Sequence, residues 1–61
     1  MESEIIYVNS EFIENMKALG VGLISYIEVY KREKDKIFFK AGRGKFHVTP
    51  EELEEIRIPA T

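Results

Sequence analysis

Sixty-one residues without a cysteine make one small domain, spanning 1–61, with neither disulfides nor cysteine-based zinc sites, and a chain this short buries only about 60% of its unfolded surface. Hydrophobic residues at 44% and charged residues at 33% exclude a disordered chain, and the longest apolar stretch, VGLISYIEVY, contains Glu28 and is too short to span a bilayer. The net charge of −2 hides a segregation: residues 1–30 carry −4, residues 31–48 carry +5 and residues 49–61 carry −3, so a polyanion that the whole chain disfavours is favoured locally.

The stretch MESEIIYVNS is acidic where a secretory signal would be basic. With no cysteines in the chain, the expected location is the cytoplasm. Within this stretch Ile5–Val8 is a short β-branched run and reads as a strand that joins a sheet edge or pairs with another subunit. Asn9 and Ser10 then supply N-cap chemistry. Phe12, Ile13, Met16 and Leu19 follow at helical spacing, with Gly20 placed to end the helix, so a helix is expected over about Ser10–Leu19.

Val21–Arg32 fits a helical period in part, but its Val, Ile and Tyr content favours a strand. Glu33–Lys36 is a polar turn, Ile37–Ala41 a strand, Gly42–Gly44 a glycine turn and Lys45–Val48 a third strand. Connections this short imply an antiparallel meander. Thr49-Pro50-Glu51-Glu52 has the pattern of a capping box with proline at the first helical position. Its acids favour the helix N-terminus, Leu53 and Ile56 can face a core, and Pro59 closes the element before a tail from Ile58 to Thr61. The expected fold is therefore α+β in the order β-α-β-β-β-α. A three- or four-stranded antiparallel sheet carries one helix on one face, and a short C-terminal helix follows.

Strand alternation assigns the faces. Leu23, Ile27, Val29, Ile37, Phe39, Phe46 and Val48 are expected inside. Tyr26, Glu28, Tyr30 and Arg32 are expected outside, with Lys36, Phe38, Lys40, Lys45 and His47. Aromatic rings that stack on bases, set among cations that track phosphates, are what a single-stranded nucleic acid needs. The candidate DNA- or RNA-binding residues are thus Tyr26, Tyr30, Arg32, Lys36, Phe38, Lys40, Arg43 and Lys45. The alternative is a protein-interaction module, either a homodimer or a small inhibitor or adaptor. There the aromatic face meets a protein and the basic hairpin meets an acidic partner.

The remaining motifs do not build a reaction centre. AGRGK lacks the third glycine and the strand-to-helix setting of a dinucleotide loop, and Lys45 is followed by Phe46 rather than the Ser or Thr of a P-loop. Its glycines are better suited to a tight turn, with Arg43 at the tip. His47 is the only histidine and there is no cysteine, so a usual zinc site is not expected, and no Ser or Cys arrangement offers it a nucleophile for catalysis. Glu51, Glu52, Glu54 and Glu55 suit a solvated helix start, and Glu28 an ion pair with Arg32 or Lys40. The expectation is a non-enzymatic nucleic-acid-binding or regulatory protein without cofactor or metal.

Overall fold

The computed structural model describes residues 3–58. Its elements are β1 (Glu4–Tyr7), α1 (Ser10–Ala18), β2 (Tyr26–Arg32), β3 (Ile37–Ala41), β4 (Gly44–Val48) and α2 (Pro50–Ile56). The strands form one antiparallel sheet in the order β1-β2-β3-β4. The fold is thus the expected small α+β domain, and the first strand adds to the free edge of β2 within the same chain, pairing Glu4 with Val29 and Ile6 with Ile27.

Both helices are held by local chemistry. The N-cap of α1 is Asn9, whose Oδ1 accepts from the Phe12 N–H at 2.9 Å. Ser10, to which capping was also ascribed, is the first helical residue instead. The helix ends in a Schellman turn: Gly20, at φ +85, donates to Lys17 O, and Val21 donates to Met16 O, each at 3.0 Å. Thr49 and Glu52 form the full capping box at the start of α2. The Glu52 N–H donates to Thr49 Oγ1 at 3.1 Å, and the Thr49 N–H donates to Glu52 Oε1 at 3.0 Å.

The chain after α2 returns to β1. Asn9 N–H donates to Ile56 O at 2.7 Å, Ile58 N–H donates to Tyr7 O at 2.9 Å, and Val8 bridges to Arg57. This covers the end of an otherwise open strand edge. The proline expected to close the helix, Pro59, and the rest of the proposed tail, 60–61, lie outside the described residues. Asn9 also donates from Nδ2 to Glu55 O at 2.9 Å, so it caps one helix and ties down the end of the other. Asn9→Ala is expected to cost about 1–2 kcal/mol, seen as a lower urea midpoint at unchanged m-value. Ser10→Ala is expected to stay within about 0.5 kcal/mol of the parent.

The core lies between the sheet and the two helices. It comprises Ile6 and Val8, Phe12 and Met16 from α1, Ile27 and Val29 from β2, Ile37, Phe39 and Ala41 from β3, and Leu53 from α2. Phe39 sits at its centre, edge-on to Phe12 at 6.1 Å and stacked on Phe46 at 5.7 Å. Because both helices contribute to this one face, the molecule is a two-layer slab measuring 28 × 26 × 17 Å.

Three expectations about the sheet and core are corrected. The strand expected over Val21–Arg32 begins only at Tyr26, because Gly20 and Gly22 both take positive φ and bend the chain out of an extended path. Leu23, placed in the core by alternation, is accordingly 83% exposed. Leu19, placed on the apolar face of α1, is also exposed: it is the C-cap, and the Schellman turn brings Val21 back to the core in its place.

The β3–β4 hairpin explains its own glycines. Ala41 pairs with Gly44 across a two-residue turn of Gly42 and Arg43. Gly42 has φ +59, and a Cβ built there would lie 2.8 Å from Val21 O, so the tip is pressed against the loop that follows α1. At Gly44 a Cβ would collide with the Phe46 ring at 2.7 Å. Both positions answer to backbone geometry and packing.

Candidate nucleic-acid interface

No described element covers the face of the sheet opposite the helices. Register places its side chains in rows. Tyr7 lies opposite Tyr26 at one end. Ile5, Glu28, Lys40 and Lys45 form the next row across all four strands. Lys31, Phe38 and His47 form a row toward the other end.

Between the last two rows the ladder slips. Val29 pairs with Phe39, but Lys31, two residues on, pairs with Phe38, leaving Tyr30 in a β-bulge. One extra residue reverses the alternation of everything after it. Arg32 therefore lies opposite the buried Ile37, on the helical side, where its Nη2 meets Glu4 Oε1 at 2.6 Å. This corrects the expectation that Arg32 belongs to the outer face, and Lys31 stands there in its place.

Around the bulge a compact group assembles. Tyr30 and Phe38 lie with ring centroids 6.4 Å apart, and Phe38 and His47 5.7 Å apart. Lys31 Nζ stands 5.5 Å from the Phe38 centroid, and Lys45 Nζ 5.8 Å from that of Tyr30. Such contacts hold the ammonium groups beside the rings. Lys45 also lies directly opposite Lys40, a like-charge cross-strand pair that a sheet tolerates at a cost in stability.

Of the eight candidate residues, the structure brings Tyr30, Phe38 and Lys45 together, with Lys40 in the adjoining row. Tyr26 is elsewhere: it packs on Tyr7 at 6.1 Å. Arg43 is exposed at the hairpin tip, and Lys36 is exposed in the turn before β3, at opposite ends of that strand. Glu28 faces Lys40 in register but joins none of the ion pairs among the described residues, which are Lys31–Glu33, Arg32–Glu4 and Arg57–Glu54.

Sequence reasoning placed His47 on this face, as the structure does, but missed Lys31 and Tyr7. Tyr7 was accessible to it, since alternation of Ile6 and Val8 inward sends Tyr7 outward. Lys31 was not, because Tyr30-Lys31 carries no glycine to announce a bulge.

The charges are divided between the two layers. The helices carry Glu11, Glu14, Glu51, Glu52, Glu54 and Glu55 against Lys17, while the outer face carries Lys31, Lys40 and Lys45 against Glu28. Among the described residues no three His, Asp or Glu side chains are grouped to hold a metal ion, and no helix is long and apolar enough to cross a membrane. No family model, curated protein or solved structure matches the chain.

Proposed function

We propose that the protein is a non-enzymatic, cytoplasmic binder of single-stranded nucleic acid, and that the outer sheet face is its platform. The observation that carries this is the row of Tyr30, Phe38 and His47 with Lys31 and Lys45 at its rings. Ring-to-ring spacings of 6.4 and 5.7 Å are nearly twice the duplex step of about 3.4 Å per strand, so they suit bases splayed from an extended strand. Lys31, Lys40, Lys45 and the tip residue Arg43 supply the cations for its phosphates.

The test is a titration of labelled single-stranded DNA and RNA between about 50 and 200 mM salt. Three or four phosphate contacts give a log–log slope of about −2 to −3, and Lys45→Ala reduces its magnitude by about 0.7. Absence of binding at the low-salt end sinks the reading.

One observation favours a protein partner, in particular a second copy of the chain. Ile5, Tyr7 and Tyr26 are 49%, 56% and 50% exposed on the same face, an apolar patch of the kind found at interfaces. Light scattering decides that case: a dimer that Tyr7→Lys dissociates supports it, and a monomer at all concentrations removes it.

A further inference from the structure

We propose that the cleft at the hairpin-tip end of the outer face is a pocket for a single base, and that it selects guanine. The proposal rests on the nucleic-acid reading but uses residues outside the Tyr30–Phe38–His47 row. The cleft has a volume of about 320 Å³ and opens between the loop of residues 23–25 and Tyr26, Glu28 and Lys40, with Gly42 at its end. That is room for one purine.

Its walls have the chemistry to hold a base by face and by edge. Tyr26, half-exposed, and Leu23, 83% exposed, both line it, one aromatic and one aliphatic. Positive φ at Gly20 and Gly22 carries Leu23 out of the core, which leaves a large apolar side chain exposed at the rim.

The edge is read by a pair. Glu28 and Lys40 are direct cross-strand partners, so their Cβ atoms stand about 5 Å apart, the scale of one base edge. Glu28 is half-buried, and neither residue takes part in an ion pair among the described residues. A carboxylate only accepts and has two oxygens side by side, whereas an ammonium only donates. Guanine presents two adjacent donors, N1–H and N2–H, next to the O6 acceptor. It thus satisfies both oxygens of Glu28 and the ammonium of Lys40 at once. Adenine and cytosine offer the carboxylate a single amino group beside a ring acceptor. Thymine and uracil offer one N–H flanked by two carbonyl oxygens, which repel it.

The experiment is fluorescence anisotropy with a dT oligomer of about twelve nucleotides, a length within the usual site sizes. The same oligomer with one central dG, dA or dC, and the four ribonucleotide counterparts, complete the set. The dG oligomer is expected to bind about tenfold tighter than the other three. In Glu28→Gln, where only one amide oxygen accepts, that ratio is expected to fall close to one. Equal affinity across the set overturns the guanine pocket while leaving the platform standing. So does a preference for dA or dC, or a dG preference that survives Glu28→Gln. Failure of every oligomer to bind overturns the platform and the pocket together.

Discussion

Phe39→Ala is expected to lower the stability of the domain by about 3–5 kcal/mol, between a third and all of what it holds. Phe39 is 1% exposed, and it joins three elements: its ring meets Phe12 of α1 and Phe46 of β4, and its backbone pairs with Val29 of β2. Truncating a buried phenylalanine costs about 3–5 kcal/mol, the lost transfer energy plus the cavity left behind. A 61-residue domain holds about 3–9 kcal/mol in all, at the usual 0.05–0.15 kcal/mol per residue. The loss is therefore comparable with the whole stability. Urea denaturation followed by circular dichroism measures it. Phe39→Leu, which keeps most of the volume, is expected to refold with a lowered midpoint. A Phe39→Ala midpoint equal to the parent's contradicts the core described above.

The neighbouring substitution, Phe38→Ala, is expected to do the opposite. Phe38 is half-buried on the outer face, and what it loses is a set of cross-strand contacts with Tyr30 and His47 and the ammonium of Lys31. Contacts of this kind contribute about 0.2–1 kcal/mol each, so the domain stays folded. Loss of a stacking ring removes about 1–3 kcal/mol per base, so single-stranded binding is expected to weaken about 5- to 150-fold. Retention of full affinity by a folded Phe38→Ala protein removes the ring from the platform. Two adjacent phenylalanines thus separate stability from binding, because the pleat sends them to opposite faces.

Much of the fold was legible because its signals are local. The capping box from Thr49 to Glu52, the Gly20 terminator and the Gly42 turn each need only a few residues to specify geometry. The inward positions Ile27, Val29, Ile37 and Phe39 followed from alternation alone. What escaped depends on contacts distant in sequence. Tyr30 bulges because of how β2 meets β3, and that one residue moved Arg32 off the outer face and put Lys31 on it. Likewise the loop of residues 21–25 has strand-like composition, but positive φ at Gly22, and at Gly20 before it, bends it out of the sheet. The candidate site was read in part for this reason: Tyr30, Phe38, Lys40 and Lys45 followed from alternation, and the bulge exchanged one cation, Arg32, for Lys31.

The separation of acids and bases across a 17 Å slab has a consequence for how far the basic face can be felt. Ions of the medium screen a charge over about 10 Å at 0.1 M salt, less than the thickness of the molecule, and over about 30 Å at 0.01 M, more than its thickness. At the higher concentration a polyanion near the outer face senses the lysines and little of the glutamates behind them. At the lower one it senses the whole chain, whose net charge is −2. Long-range attraction therefore does not keep growing as salt is withdrawn. For the proposed platform, affinity plotted against salt on logarithmic axes is expected to flatten at the dilute end.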